Sequence, residues 1–321
     1  MTRELCVSVI IPTKNRANDL ARCVKSLCEQ STGIHELIVV DQSPNTDSFD
    51  AIRPLVESRG LHLVYWRDPS ITGIADARNR AMERAAGDVW LFLDDDVELE
   101  ADCVERIVST YSEAAGLAGV SGLITNYARP SKASRLWLCC FVRGPFHDER
   151  QPLYWNAAKI RSAEPFPVTK FTGCLMSFRS DFVRHLRFDE GLHGVSEGED
   201  VDFCLRVGGP LLLNPRARVR HHHSKSGRLT DHWTRRAVRA QLFLFGKHWN
   251  HGFFNRLVSG WLFLGYCLVC TASSLRHLSL DPWRALGEGI RDACMALARS
   301  AELQNRAPSD GCDKISVGQD T

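Results

Sequence analysis

Apolar and polar positions follow two periods along the first 130 residues. Val7–Pro12 is a short, β-branched apolar run. Leu20, Cys23, Val24 and Leu27 then recur at i, i+3, i+4 and i+7, the spacing of one helix face. Leu37–Val40 is a second apolar run, ending at Asp41, and Leu61–Trp66 is a third. Residues 76–86 are rich in Ala and Arg and suit a helix. Val89–Leu93 is a fourth run, ending at Asp94, and Val104, Ile107, Val108 and Tyr111 form another helical stripe. Fully apolar runs alternating with amphipathic helices predict an α/β domain with a mostly parallel sheet covered on both faces.

The pattern then loosens. Residues 128–170 are irregular and rich in Pro, Trp and Arg. Phe171–Phe178, Leu211–Leu213 and Ala217–His223 read as further strands, and Trp233 to about Trp249 as a helix. Leu257–Leu275 runs for 19 residues without a charge. Trp249, Phe253, Phe254 and Trp261 cluster around its start, and Arg235, Arg236, Arg239, Lys247 and Arg256 precede it. Aromatics with cations suit a helix lying on an anionic membrane face. The length also suits a bilayer span or a buried structural helix. From about Ala301 the chain is polar, with Gly and Pro, and reads as a disordered tail.

The 321 residues are enough for one large domain, or a domain with an appendage. A net charge of +2 argues against a nucleic-acid partner. The first residues carry no basic stretch, apolar core and cleavage site of a signal peptide. The sequence therefore predicts a cytoplasmic chain whose 12 cysteines are reduced. Cys267 and Cys270 form a lone CxxC without a second pair at zinc spacing.

Ligands of an open parallel sheet bind beyond the carboxyl ends of its strands. Pro12-Thr13-Lys14-Asn15-Arg16 follows the first run and offers polar and cationic groups for a nucleotide, or simply a turn with a helix cap. Asp41 closes the second run, placed for a base or ribose hydroxyl, or as a turn residue. Asp94-Asp95-Asp96 follows the fourth. In an extended stretch Asp94 and Asp96 share a side and converge on a Mg2+ or Mn2+ ion, with Asp95 turned away. Glu197-Gly198-Glu199-Asp200-Val201-Asp202 offers Asp200 or Glu199 as a general base, or a first-turn acidic cluster on a helix dipole. In a strand, His221 and His223 share one face, and either completes a metal shell. Arg78 is suited to grip a pyrophosphate.

Together, VSVIIPTKNR (7–16), LIVVDQS (37–43), GIADARNRAMERAAGDVWLFLDDD (73–96), FTGCLMSFR (171–179) and EGEDVDFCLR (197–206) resemble the family 2 inverting glycosyltransferases of the GT-A fold. The resemblance covers roughly residues 5–225. It implies a mixed, mostly parallel sheet flanked by helices, with residues 1–232 as a nucleotide-sugar-dependent domain. Residues 233–300 then form a C-terminal helical appendage, and 301–321 the tail. It implies that Thr13, Arg16 and Asp41 line the nucleotide pocket with Arg78 nearby. Asp94 and Asp96 match the acid pair that binds metal and diphosphate, Asp200 the catalytic base, and His221 by position an auxiliary metal ligand. The implied partners are a nucleotide-sugar donor, a glycan or lipid-linked acceptor, and the cytoplasmic face of a membrane. A sugar-phosphate nucleotidyltransferase is the first alternative, but its usual Gly-rich loop is replaced here by Pro-Thr-Lys-Asn-Arg. A catalytically inactive nucleotide-sugar-binding protein is the second.

Overall fold

The computed structural model describes residues 5–157, 164–192, 197–224, 232–250 and 252–306. Nine strands among them form one sheet: β1 (Val7–Thr13), β2 (Glu36–Asp41), β3 (Leu63–Arg67), β4 (Val89–Leu93), β5 (Val97–Leu99), β6 (Gly119–Ile124), β7 (Phe166–Val168), β8 (Leu175–Arg179) and β9 (Leu211–His221). Their order is β3-β2-β1-β4-β8-β6-β9-β5, with β7 also on β9. The β3-β2-β1-β4 half is parallel. Antiparallel β8 lies between β4 and β6, and β9 runs parallel to β6. The sheet is therefore mixed and mostly parallel at its N-terminal half, as expected.

Helices cover it: α1 (Ala17–Cys28), α2 (Asp47–Arg59), α3 (Ile74–Met82), α4 (Cys103–Glu113), α5 (Lys132–Phe141), the short α6 (Gln151–Tyr154) and α7 (Ser180–Val183), and α8 (Glu199–Arg206). α1 buries the stripe read from sequence, Leu20, Cys23, Val24 and Leu27. β1, β2 and β4 are buried along their whole length, which is why they read as continuous apolar runs rather than alternating ones.

Two expected strands prove to be one. Leu211–Leu213 and Ala217–His223 are halves of β9, which shifts register against β6 between Gly122 and Leu123. Asn214 still pairs with Gly122 and Arg218 with Leu123, so residues 215–217 bulge out between them, pinned where Asn214 Nδ2 donates to Thr110 Oγ1 (2.8 Å). Gly122 is required there: a Cβ would stand 2.3 Å from the Ala217 carbonyl oxygen. The expected strand Phe171–Phe178 begins only at Leu175; Thr172 and Leu175 instead close a tight turn that frees the Gly173 peptide.

The C-terminal segment is helical: α9 (Trp233–Leu244), a π-helical turn (Phe245–Trp249), α10 (Phe253–His277) and α11 (Asp281–Arg306). Arg235 of α9 pairs with Asp292 (2.7 Å) and Glu288 (3.2 Å) of α11. The two helices pass closely enough that a Cβ at Gly289 would meet the Arg235 carbonyl at 2.6 Å. Ala301–Arg306, the start of the expected tail, continues α11; residues 307–321 lie outside the described residues.

Candidate active site

The acid triplet forms the turn between β4 and β5, not an extended stretch. The turn nevertheless separates the side chains as alternation would. Asp94 and Asp96 face His221, and their ligand atoms lie within 4.8 Å of one another. Around a cation with donors at ~2.1 Å, those donors stand roughly 3 to 4.2 Å apart. Two carboxylates and an imidazole within this reach could hold a divalent metal ion. His221 Nε2 stands 2.9 Å from Asp96 Oδ1. Burial pushes Asp96 up, but the bonds from His221 and the Ser224 N–H outweigh it and hold the carboxyl down at about 2. Burial is the larger force at Asp94 and raises it.

Asp95 is turned away from that pair, with a definite task. It accepts from Thr13 Oγ1 (2.8 Å) and Arg16 Nη1 (2.9 Å), tying the loop after β1 to the acid turn. Thr13 and Arg16 are thus held beside the acid turn by a carboxylate that sequence reasoning set aside. Asp41 at the end of β2 is fully buried and accepts from the Tyr65 hydroxyl and the Ser43 N–H.

Arg78 departs from its expected role. On α3, it is wholly buried beneath the site. Nη2 donates to Asp94 Oδ1 (3.2 Å) and the Gly173 carbonyl (2.9 Å), and Nη1 to Glu199 Oε1 (3.1 Å). Its guanidinium carbon lies 5.3 Å from the Phe188 ring centroid. With both Nη groups committed to protein acceptors, Arg78 is a brace between the acid turn, the Gly173 loop and α8, rather than a free phosphate clamp.

α8 is preceded by its cap Gly198, whose φ of 101° suits glycine, and carries Glu199 and Asp200 in its first turn. The two acids diverge. Glu199 is buried against Arg78, and one of its oxygens has no hydrogen-bond partner. Burial, reinforced by Asp200, pushes it up to about 7. It faces the brace, not the open site, so the expectation of a base role for Glu199 does not fit its place. Asp200 is half-buried, and its Oδ2 accepts the Gly173 N–H at 2.8 Å.

The histidines also diverge. Asn126 bonds both backbone groups of His221 (2.7 and 2.9 Å), fixing the end of β9. His222 points away to Glu98 Oε2 (2.8 Å). The strand ends before His223, whose φ is 50°, so His223 shares no strand face with His221; its ring instead lies 4.0 Å from that of His221. Asp95 and Asn126 were missed as site builders, because only long-range contacts bring them in; Gly173, which the resemblance implies begins a loop near the acceptor, meets Asp200 and Arg78.

Comparison with known proteins gives the family and the fold. The family model for glycosyl transferase family 2 matches residues 8–185. A PGL/p-HBAD biosynthesis glycosyltransferase of Mycobacterium bovis is 36% identical over 107 residues, which is 33% of this chain and 41% of that protein. The O-antigen biosynthesis protein RfbC of Myxococcus xanthus is 26% identical over 245 residues, 71% of this chain and 18% of its own length. This chain thus spans less than half the length of either relative. In fold it is similar to the mannosyltransferase PcManGT from Pyrobaculum calidifontis, solved with GDP-Man and Mn2+: TM-score 0.55, 17% identity, covering 94% of this chain and 88% of that one. The matched segment holds β1, β2, the acid turn and the Gly173 loop, and it exceeds half of the chain, so this protein belongs to glycosyl transferase family 2.

Proposed function

We propose that this chain transfers a sugar from a nucleoside-diphosphate sugar to an acceptor hydroxyl, with inversion at the anomeric carbon and with Mg2+ or Mn2+. The observation that carries the reading is one sheet edge bearing both the Asp94–Asp96–His221 group and a separately held carboxylate, Asp200. A divalent ion held by Asp94, Asp96 and His221 would neutralise charge on the leaving diphosphate. Thr13, Arg16 and Asp41 line the nucleotide side. Asp200, fixed by the Gly173 N–H, takes the proton from the acceptor hydroxyl. The acceptor oxygen bonds to the anomeric carbon as the bond to the diphosphate oxygen breaks, and that electron pair leaves with the diphosphate. A single displacement inverts the centre and needs no sugar–enzyme bond. The GDP-Man and Mn2+ of the structural relative support this donor and metal class.

The acceptor is a glycan or lipid-linked saccharide in cell-surface glycan or glycolipid synthesis, in keeping with the biosynthetic names of the relatives. The chain works as a peripheral protein on the cytoplasmic membrane face. α10 is long and apolar enough to cross a membrane, and 28% of its most apolar window is buried. Val258, Leu262, Tyr266 and Cys270 face inward, whereas Phe253, Phe254, Leu257, Trp261, Leu264 and Leu268 are exposed. Arg256 and Arg276 lie exposed toward the two ends of the helix, which contains no acidic residue. An apolar stripe with cations toward its ends suits an anionic bilayer surface.

Asp200→Asn tests the reaction. It is expected to lower transfer by about 10²- to 10⁴-fold and to leave nucleoside-diphosphate affinity near that of the wild type. Transfer by the variant at the wild-type rate would remove Asp200 from the base role.

A further inference from the structure

Among the described residues outside α5 and the C-terminal segment 233–306, Tyr127 is the only large apolar side chain that is exposed, at 44%. Its ring lies on that of Tyr154, with centroids 5.0 Å apart and planes 17° from parallel. Tyr154 is buried, with the Arg150 guanidinium carbon 5.7 Å from its centroid. A ring stacked on one face and this exposed presents its other face to solvent. Tyrosine offers an apolar ring face with a polar tip, which suits a ligand that has both kinds of surface.

Its surroundings say what it would recognise. The preceding residue, Asn126, makes both hydrogen bonds that fix His221. Beneath it, the Tyr154 hydroxyl and Arg150 Nη1 each bond Thr172 Oγ1 at 3.1 Å. Thr172 adjoins Gly173, whose N–H holds Asp200. The ring is thus braced from the end of β9 on one side and from the loop that holds the base on the other. It is far from the nucleotide edge: Tyr127 follows β6, four strands along the sheet from β2 and Asp41. At ~4.8 Å per strand the separation is roughly 19 Å, which rules out the donor's base.

We infer that Tyr127 is the floor of the acceptor subsite, an aromatic platform on which a pyranose ring of the acceptor stacks; this rests on the transferase reading above. The apolar C–H face of a pyranose complements the negative face of an aromatic ring. The stack sets the acceptor over the open face of Tyr127, whose neighbours bond the residues that fix His221 and Asp200, while its hydroxyls stay free to react.

Saturation-transfer NMR with methyl pyranosides of glucose, galactose, mannose and N-acetylglucosamine tests this on the whole chain. At least one is expected to bind through its ring C–H protons. Tyr127→Ala should weaken that binding by about three- to tenfold, and Tyr127→Phe and Tyr127→Trp should restore it. Thermal stabilisation by UDP or GDP with Mn2+ should be the same in Tyr127→Ala as in the wild type, which also reports that the variant is folded. Absence of glycoside binding to the wild type, or equal binding by Tyr127→Ala, overturns the platform while leaving the donor reading intact. Failure of every nucleoside diphosphate to stabilise the wild type overturns the transferase reading, and the acceptor role with it.

Discussion

His221 and His223 stand two residues apart, yet the backbone gives them different positions. His221 ends β9 with its backbone clamped by Asn126 and its Nε2 beside Asp96, whereas His223 has turned into the left-handed region. His221→Ala is therefore expected to abolish the Mn2+-dependent part of nucleotide binding, and His223→Ala to retain most of it. Calorimetric titration of Mn2+ in the presence of nucleoside diphosphate separates them, and an equal loss in both would bring His223 into the shell. Asp94, Asp96 and Asp200 were legible in the sequence because acids directly after an apolar run, or opening a helix, are conspicuous. The Asp95 and Arg78 contacts were not. Asp95 meets Thr13 across 82 positions, and Arg78 meets Glu199 across 121. Local pattern carries no record of such partners, and it cannot distinguish an arginine buried as a brace from one open to phosphate.

Among the elements, α8 is held from its far side as well as its near one. Asp202, fully buried, accepts from Lys247 Nζ and His248 Nε2 of the π-helical turn, both at 2.8 Å, and from Arg206 Nη2 at 2.7 Å. Lys247 also pairs with Asp189, which receives Ser300 of α11. The appendage thereby grips the helix that carries Asp200. Burial pushes the Asp202 carboxyl up, but the bonds from His248, Arg206 and Lys247 prevail and hold it at about 2, below its ordinary 3.8. A depressed carboxyl stabilises the fold at pH above its unfolded value and loses that contribution as pH falls from about 4 through about 2, here on the order of 2 kcal/mol. Urea midpoints measured across this window should fall, and Asp202→Asn should flatten that part of the slope; an unchanged slope would refute the assignment. Strands β1, β2 and β4 were plain in sequence because their apolar runs are buried on both faces. β6 was not, because Gly119 and Gly122 break its apolar pattern where β8, β9 and Phe171 crowd it. α2 was hidden by Pro54 within a helix that buries only Ser48, Ile52 and Val56.

The whole molecule joins the mixed sheet of the transferase fold to a helical appendage whose α10 has one face packed and one open. The exposed stripe of α10 is expected to bind vesicles containing phosphatidylglycerol and to bind neutral vesicles less well. Replacing Leu257, Leu264 and Leu268 by Glu should release the protein without altering nucleotide binding; flotation of the wild type that ignores lipid charge, or unchanged flotation of the triple variant, would contradict surface docking. The appendage was legible as an uncharged run, but which of its faces is buried depends on Phe141 and Trp137 of α5, which pack against it around Gly265. The central claim, that the acid turn holds a cation and the donor's diphosphate, is tested most directly by thermal unfolding with UDP, GDP, dTDP or CMP, each with and without Mn2+. A ligand at 100 times its Kd adds about 2.7 kcal/mol. One nucleotide is expected to stabilise the wild type only when Mn2+ is present, with the effect lost in Asp94→Ala/Asp96→Ala. Stabilisation that survives in the double variant, or no stabilisation under any metal condition, would contradict the account.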